Sequence, residues 1–300
     1  MKKQIQKILV LSSIALTAPL VVSQTLQPWM SNEVSDAWRA GYKGQGTTIT
    51  FVDDFRSSSR YYGNFNGSLQ LQQHGKWTSQ ESSLIAPLAS INTQDFSNSS
   101  TVRLASRGLN TVNLSYAMYA NTGSTANGIR WAAREQSIIN YAANGSAVIV
   151  KAAGNDYGTS VGSGNVNGKT DYLNSALIDT KSAIFVGALD KNGAPSNQAS
   201  MASYSNVAGS NTAVQNKFLV VGVTGGNDPY YKLYGTSFAA PVVSGYSAIL
   251  GSKFTTANST KITNQLLNTA RTDTIANYST SVHGKGEASI TRALAPASIR

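Results

Sequence analysis

The chain has 300 residues, 41% of them hydrophobic, no cysteine and a formal charge of +10. That length and apolar content suffice for one large domain with a substantial core, and the lack of thiols excludes a disulfide framework and a cysteine nucleophile. Charged residues make up only 13%, about half the usual share, and the basic ones are scattered without a Lys/Arg tract or interleaved aromatics, which argues against nucleic-acid binding.

The first segment, "MKKQIQK", is basic and runs into the apolar "ILVLSSIALTAPLVV", interrupted by Pro19 and followed by small residues in "VVSQ". It falls short of the roughly 18 to 20 apolar residues a membrane anchor needs. It reads as a cleaved export signal over residues 1–23, leaving 24–300 as the mature chain, without a membrane anchor and destined for the periplasm or the exterior.

"GYKGQG" lacks the glycine spacing of a phosphate loop and leads into a strand rather than a helix, "TTITFVD" at 47 to 53. Residues 56 to 70, with the turn signal Asn66-Gly67, read as a surface loop. "TSQESSLIAPLA" (78 to 89) reads as a helix that Pro87 ends or kinks. "NTVNLS" (110 to 115) is a strand, and "NGIRWAAREQSIINYAA" (127 to 143) is a helix with Ile129, Trp131, Ala132, Ile138, Ile139 and Ala142 near helical spacing. Three further strands follow, "SAVIVKAA" (146 to 153), "SAIFVGA" (182 to 188) and "KFLVVGV" (217 to 223), separated by glycine- and asparagine-rich loops at 154 to 170 and 205 to 214. A buried helix opens near Ser237, because in "YGTSFAAPVVSG" the N–H-less Pro241 fits only a first turn, and "STKITNQLLNTAR" (259 to 271) gives another. Continuous apolar runs mark strands buried on both faces. Their alternation with helices predicts one α/β domain of three layers, a mostly parallel central sheet with helices on both sides.

In such a sheet, reacting groups gather beyond the carboxyl ends of the strands. Asp53 closes the first strand, His74 opens "HGKWTSQ", Asn155 follows the third strand in "KAAGND", and Ser237 begins the buried helix. An acid, an imidazole, a hydroxyl and an amide donor are the parts of a serine-nucleophile acyl-transfer site. Singly, each residue has a duller role as a turn cap, loop histidine or helix cap.

The chain resembles the subtilase family of serine endopeptidases. "GTSFAAPVVSG" is similar to that family's nucleophile motif, "GQGTTITFVDDF" to its aspartate motif, "HGKW" to part of its histidine motif, "AAGN" to its oxyanion motif, "ASYSN" (202 to 206) to a further segment, and "HGKGEASITRALAP" to its closing stretch. The resemblance spans about 34 to 296 and implies a subtilisin-like fold in which Asp53, His74 and Ser237 form the triad and Asn155 donates to the oxyanion. It also implies polypeptide substrates, bound along Ser115, Tyr116 and Ala117 on one wall and Ala153 and Gly154 on the other, and a chemistry that requires no cofactor. Calcium often stabilises such proteins, yet no acid-rich loop marks a site, so calcium stays unassigned.

The chain departs from the family pattern at Lys76 and Trp77, which replace the last two residues of H-G-T-H, and at Tyr116, Ala117 and Met118, which stand where glycines line the specificity pocket. A pocket of altered shape is expected, as is altered packing behind His74. The two alternatives are a subtilase-fold scaffold without turnover, and an esterase using Ser160 of "GTSVG" with His283. The latter motif requires a strand running directly into the serine and a helix directly after it.

Overall fold

A computed structural model describes residues 24–124 and 128–299. The export-signal expectation for 1–23 lies outside the described residues, as does Asn127 at the start of the helix expected over 127 to 143. In chain order the elements are α1 (Asn32–Arg39), β1 (Thr48–Asp53), β2 (Tyr61–Gly63), β3 (Gln70–Gln72), α2 (His74–Ile85), β4 (Ser90–Asp95), β5 (Asn110–Leu114), β6 (Tyr119–Asn121), α3 (Ala133–Asn144), β7 (Val148–Ala152) and β8 (Lys169–Asp171). Then come α4 (Tyr172–Leu177), β9 (Ala183–Leu189), α5 (Thr212–Gln215), β10 (Phe218–Gly222), a 3-10 turn (Thr236–Phe238), α6 (Ala240–Lys253), α7 (Ser259–Asn268), α8 (Thr280–His283) and α9 (Ile290–Leu294).

Six strands form one sheet in the order β10-β9-β7-β5-β1-β4, with every neighbouring pair parallel. Its faces carry separate apolar clusters. Val148, Val150, Ile184 and Val186 point to the side covered by α1, α2, α6, α7 and α9, while Ile149, Ala183, Phe185 and Leu189 point to the side covered by α3, α4 and α5. This is the expected three-layer α/β arrangement. The chain runs from β1 outward to β4, then returns to place β5 on the other side of β1. The crevice above β1 and β5 is therefore a topological switch point, where ligands of such sheets bind.

The five expected strands are present to within two residues of their expected ends. The differences lie elsewhere. The helix expected over 127 to 143 begins only at Ala133, and Gly145 ends it in the left-handed region at φ 77°. The stretch 56 to 70 is not all loop: Tyr61–Gly63 pairs with Gln70–Gln72 in an antiparallel hairpin. The edge strand β4, "SINTQD", is largely polar, so apolar content did not mark it. The loop 154 to 170 ends in β8, which pairs with β6 in a second small ribbon.

Helix α6 begins as Pro241 requires. Thr236–Phe238 forms the preceding 3-10 turn and Pro241 sits in the first α-helical turn. The helix is buried from Ala240 through Ser252 and crosses the core. Gly245 is required by its neighbour, since a Cβ there would lie 2.7 Å from Ile85 Cγ2, and this close approach sets α2 against α6.

Candidate active site

Asp53 ends β1 with its carboxylate buried, 1% exposed. Three donors hold it: His74 Nδ1 lies 2.6 Å from Oδ1, the Asp54 backbone N–H donates to Oδ1 at 2.7 Å, and Thr78 Oγ1 donates to Oδ2 at 3.0 Å. A buried carboxylate is tolerated when it is satisfied in this way. Asp54, its rival in sequence, instead turns outward and accepts from the Ser57 hydroxyl and the Ser57 and Arg56 backbone N–H groups; slight desolvation opposes, but these bonds, the Ser57 hydroxyl's first, hold its carboxyl below the usual range.

His74 is the first residue of α2. The next residue must be glycine: Gly75 N–H donates to the Asp54 carbonyl at 2.8 Å, and a Cβ on Gly75 would lie 2.8 Å from both that oxygen and the Phe55 ring. The helix start is thereby fastened to the end of β1. With Nδ1 facing a carboxylate, the proton of neutral His74 sits on Nδ1 and Nε2 remains an acceptor. The ring lies against Phe238, with centroids 5.7 Å apart. Behind it Trp77 is fully buried, donating Nε1–H to the Tyr61 carbonyl at 2.8 Å, so the departure from H-G-T-H anchors the β2–β3 hairpin.

Ser237 sits in the 3-10 turn just before α6. Its Oγ donates to the Ser115 carbonyl at 3.2 Å rather than to the imidazole. The structure therefore joins acid and imidazole directly and places the hydroxyl on the residue next to Phe238, which touches His74, without closing the third contact. The turn is held by a chain of side chains: Ser244 Oγ donates to Asn113 Oδ1 at 3.0 Å, Asn113 Nδ2 to Ser115 Oγ at 2.9 Å, and Ser115 Oγ to the Ser237 carbonyl at 2.9 Å.

Asn155 presents its amide to the same place. The Thr236 backbone N–H, a donor only, lies 2.8 Å from Oδ1, and Thr236 Oγ1 lies 3.0 Å from it. This assigns the oxygen to that side and leaves Nδ2 free to donate. Gly235, at φ 123°, lets the chain pass: a Cβ there would lie 3.2 Å from Nδ2. Asn206, in "ASYSN", pins the loop from below, accepting from Asp156 N–H at 2.7 Å and donating to the Ala153 carbonyl at 3.1 Å.

Between these walls lies a cavity of about 190 Å³ lined by Ser115, Tyr116, Ala117, Gly154, Asn155 and Ser237, among others. Ala153 is the exception among the expected wall residues. It turns into the core and is fully buried, because alternate residues of an extended segment face opposite sides. The Tyr116 ring packs on Phe96 at 4.9 Å with Arg134 over it, and its hydroxyl donates to Glu135. Burial, with Glu135 beside it, pushes that hydroxyl well above the usual phenol range.

Four residues of this region lay outside the sequence reading. Lys151, 1% exposed, pairs with Asp171 at 3.1 Å, and Asp171 also accepts from the Met118 N–H at 3.0 Å, tying one wall of the cavity to the strand below the other. At the rim Tyr119 donates to Asp156 at 3.2 Å, and burial first, then the Asp156 charge, pushes its hydroxyl up to about 12. The available signal was Lys151 itself, a cation inside "SAVIVKAA" that burial obliges to find a carboxylate.

The esterase arrangement has no support in the fold. Ser160 lies in an irregular loop bridged to Val207, with no strand directly before it and no helix directly after it. His283 is buried in α8, stacked on Tyr278 and accepting from the Ser279 N–H; burial lowers its pKa. Among the described residues no three histidine, aspartate or glutamate side chains gather into a metal-binding group, and no helix is long and apolar enough to cross a membrane.

Comparison with solved structures places the same fold in proteases. The MycP3 protease from the type VII (ESX-3) secretion system is 19% identical, with 87% of this chain and 85% of that chain covered at a TM-score of 0.54. The prenylagaramide maturation protease PagA is 17% identical over 88% and 98% at 0.57, and a lanthipeptide protease is 17% identical over 89% and 93% at 0.54. No curated protein matches in sequence. The sequence model of the subtilase family, Peptidase_S8, matches residues 72–287, beginning after Asp53, whose place beside His74 comes from the geometry. That match extends over well more than half of the 300 residues, and the chain belongs to the subtilase family.

Proposed function

We propose that the chain is an exported serine endopeptidase that hydrolyses extended polypeptides through an acyl-enzyme. The observation that carries this reading is the pairing of buried Asp53 with the half-buried His74, facing the turn that bears Ser237. Rotation of the Ser237 side chain away from the Ser115 carbonyl brings its hydroxyl toward Nε2; such contacts often tighten only when substrate is bound. His74 then takes the Oγ proton as the hydroxyl attacks the peptide carbon, and later gives it to the leaving amine. Asp53 holds the tautomer and stabilises the imidazolium. Asn155 Nδ2–H and the Ser237 backbone N–H donate to the oxyanion. The ladder of β5 ends at Leu114, so the Ser115–Ala117 backbone beyond it is open to a substrate strand on one wall, with Gly154 on the other.

The test is fluorophosphonate labelling and casein digestion by the mature chain and its Ser237→Ala variant. Labelling of Ser237 and digestion lost in the variant are expected; equal labelling of the two would overturn the proposal. A second reading, a binding protein without turnover, is favoured by the Ser237 Oγ–Ser115 bond. It predicts that peptides bind while neither protein is labelled.

A further inference from the structure

Among the described residues the exposed large hydrophobic side chains are unevenly placed. Tyr61, Tyr62, Leu69 and Leu71 stand on or beside the β2–β3 hairpin, and Tyr230, Tyr231 and Tyr234 on the loop before Ser237. The two segments are fastened into one surface. The rings of Tyr62 and Tyr231 lie 5.1 Å apart, Asn227 N–H donates to the Asn64 carbonyl at 2.7 Å, and a Cβ on Gly63 would lie 2.5 Å from Leu233 Cδ1. The surface continues into the cleft, since Tyr61 meets the His74 ring edge-on at 6.4 Å.

Exposed aromatic rings in such a cluster mark an interaction site rather than ordinary surface. The surrounding charge indicates what it takes. Arg56, Arg60, Lys76 and Lys232 are exposed in or beside these segments, against two neighbouring carboxylates, Asp54 and Asp228, whose backbone N–H bonds leave their charge in place, so positive charge predominates. We infer that this face is an exosite, binding a substrate segment with aromatic and acidic residues close to the scissile bond; the inference rests on the peptidase reading. Tyrosines bury large area at low entropic cost, and cations at the rim select acidic partners. A second copy of the chain is a poor occupant: a two-fold contact would press this predominantly basic patch against a patch of the same sign. A membrane surface fits the charges but not the continuity with the cleft at His74.

The experiment compares quenched peptides that share their residues around the scissile bond and differ only in a flanking segment, Tyr/Asp-rich or Ser/Gly-rich, placed before or after the bond. The mature protein is expected to cleave one Tyr/Asp-rich peptide about tenfold better than its neutral counterpart, through KM, the scale of one hot-spot contact. Within Tyr231→Ser and within Lys232→Glu that ratio falls toward one, and for the wild type it falls with added salt. Equal cleavage of all peptides by a protein that fluorophosphonate labels at Ser237 overturns the exosite and leaves the peptidase reading standing. If Ser237 is not labelled, the peptidase reading fails, and fluorescence anisotropy of the same peptides decides the exosite by the same ratio. Sedimentation with phosphatidylcholine–phosphatidylglycerol vesicles, or concentration-dependent dimerisation, lost in these variants without peptide discrimination would also overturn it.

Discussion

The two sides of Ser237 are built differently. On the His74 side, Asp53, Thr78 and Gly75 act within one strand–helix unit, and the bonds that orient the imidazole join residues no more than 25 apart in sequence. On the cavity side, the bonds join Lys151 to Asp171, Met118 to Asp171 and Asp156 to Asn206, each from a different loop or strand. One strand–helix unit can fix the orientation of an imidazole, whereas the shape of the cavity depends on pairs that cross between separate loops and sheets. The comparison predicts that damage on the first side lowers turnover in a protein that stays folded, and that damage on the second destabilises the chain.

The largest effect belongs to the first side. In Asp53→Asn the amide accepts poorly from Nδ1–H and favours the other tautomer, and kcat should fall by about 10,000-fold, the scale for this change in a catalytic triad. The urea midpoint should move little beside that loss. Stopped assays on matched, fully folded samples check it, and a fall below tenfold would mean that the Asp53–His74 bond does not serve proton transfer.

Lys151→Met is the counterpart on the second side. It leaves the Asp171 carboxylate, in a side chain only 10% exposed, without its cation, and removing one partner of a buried pair costs about 3–5 kcal/mol. Urea denaturation should show this loss, and adding Asp171→Asn should recover part of it, because the amide removes the unpaired charge while keeping an acceptor for the Met118 and Leu173 N–H groups. Unchanged stability in Lys151→Met would show that the pair does not hold the walls together.

The same division governs what the sequence discloses. The placement of Asp53 and Ser237 is legible because Asp53 ends a strand the apolar pattern reveals and Pro241 fixes where α6 starts, whereas His74 opens α2 four residues ahead of the expected helix and Asn155 lies three residues beyond β7. The hairpin of β2 and β3 was hidden: its three-residue strands are too short for a period and their tyrosines face solvent. In β5 the period-two pattern of Thr111, Asn113 and Ser115 gave a usable signal that one face is polar. That face meets Ser244 and Ser247 of α6 and carries the bond chain to Ser237. Reading the strand only as apolar on both sides concealed it. The Lys151–Asp171 pairing joins positions 20 apart across a loop and a different sheet, which no local periodicity encodes.

The smallest effect sharpens the contrast between a buried charge with a partner and one without. Glu81 lies on α2, two turns beyond His74, and is 3% exposed, with its Oε2 lacking a hydrogen-bond partner among the described residues. Burial alone raises its pKa well above the ordinary 4.5. Above 4.5 the folded chain retains a proton that the unfolded chain releases, so Glu81 lowers stability as pH rises, until its own folded pKa is passed. One such group contributes a slope of at most about 1.4 kcal/mol per pH unit. Glu287 shares the upward direction because of its burial, so the wild-type slope contains both groups. Glu81→Gln should remove its share, leaving stability near pH 4.5 similar and raising the urea midpoint at pH 7. Denaturation at several pH values between these limits checks it. Parallel curves for the two proteins would mean that Glu81 ionises in the folded chain as readily as in the unfolded one, and that α2 carries a charge behind His74 after all.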